Sequence, residues 1–181
     1  MATHDSSVPV DNEKAYANQG AAGPTKKQKS LDLVFRFLTF VFTLVAFVVM
    51  ITNIQSKRLF PTYKLWAKYY YSDAFMWFVV ANGIAFVYTL LTLFFSCVNQ
   101  SPKVARIIVL LDLLVAYMII SGASAATAIA YIGKNGLSQS EWLPICNTFH
   151  RYCAHVLGAL IASFLGWLFL THVVIMGLHR K

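Results

Sequence analysis

Four long apolar stretches stand out against an otherwise polar chain, at about Leu31–Asn53, Ala74–Val98, Val104–Ile132 and Ala154–Leu178. A hydrocarbon core of roughly 30 Å takes about 20 helical residues to cross, and each stretch meets that length. The runs are continuous rather than alternating at every second residue, so they predict helices and exclude a transmembrane β-barrel. Pro9, Pro24, Pro61, Pro102 and Pro144 all fall outside the four runs, where they break no internal helix bond. The pattern predicts an all-α integral membrane protein. It is a four-transmembrane-helix bundle over residues 31–178, with a disordered N-terminal tail at 1–30 and a short C-terminus at 179–181. The tail is polar, lacks apolar periodicity and cannot bury enough surface to offset its ordering entropy. Trp66, Tyr69, Tyr70, Tyr71, Trp77 and Trp142 cluster at predicted span borders, the depth that amphipathic rings prefer.

Composition agrees with this class. Of 181 residues, 58% are hydrophobic and 12% charged, against about 25% charged in a soluble domain. The formal charge of +8 lies in tails and loops. There it suits lipid headgroups and topology signals, and no basic stripe interleaved with aromatics points to nucleic acid. The polar first thirty residues and the long first run leave no cleavable signal peptide to expect, so the first span should drive insertion itself.

The cations near the spans on the side of the termini are Lys26, Lys27, Lys29, Lys103, Arg106, Arg180 and Lys181. Those on the other side are Lys57, Arg58, Lys64, Lys68, Lys134 and Arg151. The first group is larger by one, which favours cytoplasmic N- and C-termini. Cys146 and Cys153 then lie before span four on the oxidising side, where a disulfide forms and persists. Cys97 lies at the cytoplasmic end of span two, as a reduced or palmitoylated thiol. The Asn99-Gln100-Ser101 pattern falls in a short cytoplasmic turn before Pro102, so no glycosylation is expected there.

Two ionisable residues interrupt the apolar runs, Arg36 in span one and Asp112 in span three. At 1.5 Å per residue they lie roughly 8 and 12 Å from the same face. A lone charge in hydrocarbon costs about 2.5–3.5 kcal/mol on insertion scales. Pairing Arg36 with Asp112 offsets much of that, suits the bidentate fit of guanidinium to carboxylate, and should force spans one and three together. The competing readings are an arginine that snorkels to the interface and a proton or ion relay through Asp112. Asn82, Tyr88 and Tyr117 are the further polar candidates, while His155 and His172 lie near span ends.

Gly122, Ala126 and Ala130 share one face of span three, and Gly158, Ala162 and Gly166 recur at the same spacing in span four. Small residues let membrane helices approach closely, either within one bundle or between two copies. Before span four, a Cys146–Cys153 bond would close a short loop and brace the helix start. The other arrangement is a zinc site from Cys146, His150 and Cys153, which provides three ligands and no evident fourth. A cysteine nucleophile beside His150 lacks an orienting acid and an oxyanion hole. No cofactor or metal is expected, and no enzyme.

Several stretches together resemble one family. They are Leu31-Asp32-Leu33-Val34-Phe35-Arg36-Phe37-Leu38-Thr39-Phe40, Leu110-Leu111-Asp112-Leu113, and Ala125-Ala126-Thr127-Ala128-Ile129-Ala130-Tyr131-Ile132-Gly133-Lys134-Asn135-Gly136, with Trp142, Cys146, Phe149 and Cys153. From Leu31 to Lys181 the chain is similar to the Casparian strip membrane domain protein-like (CASP-like) family, nearest its first subgroup, and more distantly to the MARVEL four-span proteins. The resemblance implies a multi-pass plasma-membrane scaffold with cytosolic termini. It implies association with itself and with related four-span proteins, as homodimers, heterodimers or larger sets, and platforms that organise cell-wall-modifying enzymes. The family's span-one arginine and span-three aspartate fall on Arg36 and Asp112. Gln55–Asp73 lacks the short motif of the Casparian strip members, so a general scaffold is implied rather than a strip barrier. The alternative function is a small channel or transporter, which calls for interrupted helices and clustered midplane polar groups.

Overall fold

The computed structural model describes residues 26–60, 63–96, 102–136 and 144–179. Four helices dominate: α1 (Lys26–Ile51), α2 (Asp73–Ser96), α3 (Pro102–Asn135) and α4 (His150–Leu178). All four are long and apolar enough to cross a membrane. Each begins or ends beyond its apolar run, because a transmembrane helix continues into the headgroup layer, where hydropathy no longer marks it. Thus Lys26–Ser30, expected in the disordered tail, is the first turn of α1. The rest of that tail, residues 1–25, lies outside the described residues, as do Cys97, the Asn99-Gln100-Ser101 pattern and Trp142. Pro102 occupies the first position of α3, where its missing N–H costs nothing.

The helices form a ring. α1 packs on α2 and α4, and α3 packs on α2 and α4. The pairs α1/α3 and α2/α4 therefore face each other across the diagonals. Each of the four packed seams contains a glycine. A Cβ at Gly83 would meet Phe47 at 3.1 Å (α2 on α1), and one at Gly122 would meet Phe78 Cα at 3.2 Å (α3 on α2). One at Gly166 would meet Thr43 Cγ2 at 3.2 Å (α4 on α1), and one at Gly177 would meet Val109 Cγ2 at 2.6 Å (α4 on α3). Close approach of backbones replaces the hydrophobic drive that lipid cannot supply.

Of the small residues singled out in span three, Gly122 and Ala126 are buried, and Ala130 is half-buried against the core. In span four Ala162 and Gly166 are buried, but Gly158 is exposed and a Cβ there would meet nothing within 4 Å. Gly158 is therefore not a packing position within this bundle: the four-residue spacing drifts around the helix, since two 3.6-residue turns are not eight residues.

Between α1 and α2 the chain forms an antiparallel hairpin, β1 (Ile54–Phe60) and β2 (Tyr63–Lys68), paired from Ile54↔Lys68 to Phe60↔Tyr63 with an irregularity between Arg58 and Phe60. This element was not expected. Its base docks on α4. Asn53 Nδ2 donates to the Tyr152 carbonyl at 3.0 Å, and the Tyr152 N–H donates to Gln55 Oε1 at 2.9 Å. Helix starts leave unpaired N–H groups, and the N-cap of α4, Phe149, supplies no side-chain acceptor. Gln55, remote in sequence, provides one. At the same base, where β2 ends opposite Ile54, Lys68 lies 5.0 Å from the Trp66 ring centroid and 5.1 Å from that of Tyr70. Its hydrogen bond to Tyr70 raises the ammonium above the ordinary lysine value.

The core has two parts. At the hairpin end Met50, Phe75, Phe78, Phe149, Tyr152 and Val156 pack together; at the end bearing the termini Ala85, Val115, Ala116, Ile119 and Leu170 do so. These contacts predict that Gly122→Val, which drives a branched side chain into the Phe78 backbone, destabilises the bundle by about 1–3 kcal/mol. Gly158→Ala leaves it unchanged. Thermal unfolding in detergent, followed by circular dichroism, measures both.

Candidate functional site

The site lies on the termini side of the second core cluster and begins with depth. Arg36 is ten residues into α1 and Asp112 ten residues into α3, so both sit about 15 Å from the same end of the bundle. Parallel helices bring them level. Arg36 Nη1 donates to Asp112 Oδ1 at 3.0 Å and Nη2 donates to Oδ2 at 2.6 Å. This is the two-pronged fit of a planar guanidinium to a carboxylate. The side chain of Asp112 is fully buried and that of Arg36 nearly so.

The pair does not draw α1 and α3 into a packed seam, as its sequence positions suggested it would. It spans the diagonal, because α2 and α4 fill the sides of the ring. Arginine's length makes that reach possible where a shorter cation would fall short.

Two further residues complete the set. Tyr88 of α2, a polar candidate in the sequence, donates its hydroxyl to Asp112 Oδ1 at 2.7 Å. Asp32, one turn before Arg36, accepts from Arg36 Nε at 3.4 Å. Asp32 went unremarked in the sequence because it sits near the start of α1, where a carboxylate looks like an interfacial residue. Its i, i+4 spacing to Arg36 was the available signal. Asp112 thus accepts three hydrogen bonds, and Arg36 is shared between two carboxylates. Breaking a buried pair by removing one member typically costs about 3–5 kcal/mol.

A second polar contact crosses the other diagonal. Ser163 Oγ of α4 donates to Asn82 Oδ1 of α2 at 2.9 Å, while Asn82 Nδ2 donates to the Phe78 carbonyl at 2.9 Å. Both residues are fully buried. Asn82 and Tyr88 are six residues apart, so the two braces lie about 9 Å apart along α2. The buried threonines Thr39, Thr43, Thr89 and Thr92 turn back onto carbonyls of their own helices. Among the described residues no buried side-chain nitrogen or oxygen lacks a partner.

The remaining candidates lie elsewhere. Tyr117 is exposed on α3, away from the pair. His172 packs against Phe35 in a tilted arrangement with centroids 4.6 Å apart, and His155 is exposed near the start of α4. A disulfide joins Cys146 to Cys153 with Cα atoms 5.7 Å apart, tying the short 3-10 turn Ile145–Asn147 to the first turn of α4. With both sulfurs in that bond, the zinc arrangement with His150 is not formed. The bond sits beside Tyr152, so disulfide and hairpin base grip the same turn of α4.

Four apolar spanning helices closed by polar braces define a multi-pass membrane protein with a four-helix bundle. The chain belongs to the family of the Casparian strip membrane protein domain, whose model matches residues 25–169. It is similar to CASP-like protein 1U1 of Marchantia polymorpha, with 52% identity over 94% of this chain and 92% of that one. CASP-like protein 1C3 of Populus trichocarpa is 38% identical over 83% of this chain and 85% of its own length. CASP-like protein 1C2 of Arabidopsis thaliana is 37% identical over 84% and 91% respectively. No solved structure matches the chain.

The geometry ranks the members of the site. Asp112→Ala leaves Arg36 with only the more peripheral Asp32 and is expected to destabilise the bundle by about 3–5 kcal/mol. Tyr88→Phe removes one hydrogen bond to a carboxylate and is expected to cost about 1.5–3 kcal/mol. Unfolding in mixed micelles, with surface abundance as a second readout, should show that order.

Proposed function

We propose that this chain is a four-span plasma-membrane scaffold, with both termini cytoplasmic, that associates with itself and with related four-span proteins to organise membrane domains. Cell-wall-modifying enzymes are the clients that such a platform recruits. The observation that carries the reading is the closed interior. Arg36, Asp112, Tyr88 and Asp32 saturate one diagonal, and Asn82 with Ser163 saturates the other. Every buried side-chain nitrogen and oxygen in the described residues already has a partner within the bundle. What remains free to act is the lipid-facing surface and the outer cap of hairpin and disulfide loop.

The topology has its own support. The Cys146–Cys153 bond suits an oxidising face, which supports a reading with the hairpin end outside and the termini inside. In this reading Arg36 and Asp112 are fold-setting residues. They are neither catalytic groups nor relay members, because their polar atoms are engaged with one another and the pair is enclosed by α2 and α4. The chain has no catalytic role in this account, and Cys97 is an intracellular thiol open to acylation.

Reconstituted liposomes test the scaffold against a conduit. The purified chain should give no ion or proton flux above protein-free vesicles. Proximity labelling of the tagged full chain in its own cells should recover related four-span proteins. Flux that disappears in Asp112→Asn, or labelling that recovers no membrane partner, contradicts the scaffold reading.

A further inference from the structure

The end of the bundle that bears the termini is strongly cationic, and its cations stand without carboxylate partners. Lys27 and Lys29 on the first turn of α1, and Lys103 and Arg106 at the start of α3, are exposed. Among the described residues none of these four forms a salt bridge. The carboxylates of this half, Asp32 and Asp112, are both bonded to Arg36. A topology signal needs only that positive charge lie on this side. It does not call for a cavity beside the charge, and this end has one.

A cavity of about 140 Å³ lies between the first turn of α1 and the last turn of α4, lined by Gln28, Ile175, Met176 and His179. That is roughly ten times the space one water needs. Its walls are half apolar and half polar, as befits the boundary between acyl chains and headgroups. The His179 ring is fixed there. A carbonyl can only accept, so Nδ1 donates to the Ile175 oxygen at 2.9 Å, and Nε2 is the nitrogen left for a ligand. Lys27 and Lys29 flank Gln28 on the same turn, whereas α3, diagonal to α1, contributes no lining residue among those described. Leu31, Ile175 and Leu178 are exposed at this end and offer an apolar surface along which an acyl chain can lie.

We propose that this crevice between α1 and α4 seats the phosphorylated headgroup of one anionic phospholipid. Lys27 and Lys29 pair with its phosphates, and His179 Nε2 donates to one of them when the imidazole is protonated. The acyl chains run over Leu31, Ile175 and Leu178. Several cations around one seat match a headgroup that carries more than one negative charge. A free phosphate would meet the same cations but leave the apolar surface uncovered, which favours the lipid as the source. The inference does not rest on the scaffold role. It uses the proposed topology only to assign the lipid to the cytoplasmic leaflet, whose surface is the anionic one.

Native mass spectrometry of the full chain tests the seat, with the chain released from detergent micelles doped with equal phosphatidylcholine and phosphatidylinositol 4-phosphate. One phosphatidylinositol 4-phosphate per chain should be retained in preference to phosphatidylcholine. Lys27→Gln combined with Lys29→Gln should lower that retention roughly ten- to thirtyfold, with unchanged thermal unfolding. Lys103→Gln combined with Arg106→Gln removes the same charge from the diagonal corner and should leave retention unchanged. Met176→Trp, which fills the crevice and alters no charge, should also lower it. Equal loss from both charge pairs would mean diffuse attraction and overturns the seat, as does a failure to retain the lipid at all. Displacement by soluble inositol 1,4-bisphosphate at matched concentration overturns the lipid as the source. A micelle has no sidedness, so tail tags found outside the cell would correct the leaflet and the topology while leaving these results standing.

Discussion

Hydrocarbon cannot solvate a charge, and the whole bundle is arranged around that fact. Arg36 and Asp112 enter the membrane on different helices at equal depth, and each is tolerable there only with the other. Their two hydrogen bonds, at 3.0 and 2.6 Å, cross the widest line of the four-helix ring. A contact along one seam would hold two neighbours. A contact across the diagonal holds the ring closed, because α2 and α4 must sit on either side of it. Tyr88 then ties α2 to the same carboxylate. The Asn82–Ser163 contact repeats the device in neutral form on the other diagonal.

Glycine does the complementary work at the edges. The braces fix which helices oppose each other, and the four glycine contacts fix how near the neighbours come. Outside the bilayer the same economy continues. Asn53 and Gln55 grip the Tyr152 peptide from the hairpin side, and the Cys146–Cys153 bond grips the adjacent turn from the loop side. The start of α4, which lacks a cap of its own, is thereby held from two directions. With the buried polar side chains of the described residues all paired, contacts with other molecules are left to the outer surface.

Much of this is legible in the amino-acid sequence, and the rest is hidden for identifiable reasons. Long apolar runs announce the four helices, but helix ends in the headgroup layer are polar and carry no hydropathic mark, so Lys26–Ser30 reads as tail. Arg36 and Asp112 stand out because an ionisable residue in an apolar run is conspicuous. Asn82 and Tyr88 also show as polar, but which residues they pair with does not, since the order of helices around a ring is not a property of any local pattern. The diagonal geometry is hidden for the same reason. Gly158 and Gly166 look alike in sequence, yet one faces out and the other meets Thr43. The hairpin is concealed by its basic and aromatic residues, which suit an interfacial loop equally well; its anchor is the side chain of Gln55, whose partner lies 97 residues away.

A double-mutant cycle at Arg36 and Asp112 probes the brace most directly, with surface delivery and unfolding free energy measured for Arg36→Met, Asp112→Leu and the two combined. Arg36→Met strands Asp112 and takes the partner from Asp32, and Asp112→Leu strands Arg36, whereas the combined change removes the deep pair and leaves only the more peripheral Asp32 carboxylate without its cation. The account predicts two defective single variants and a double variant that folds and reaches the surface far better than either. A double variant as impaired as the sum of the singles would mean that the two residues act independently and that the brace does not exist.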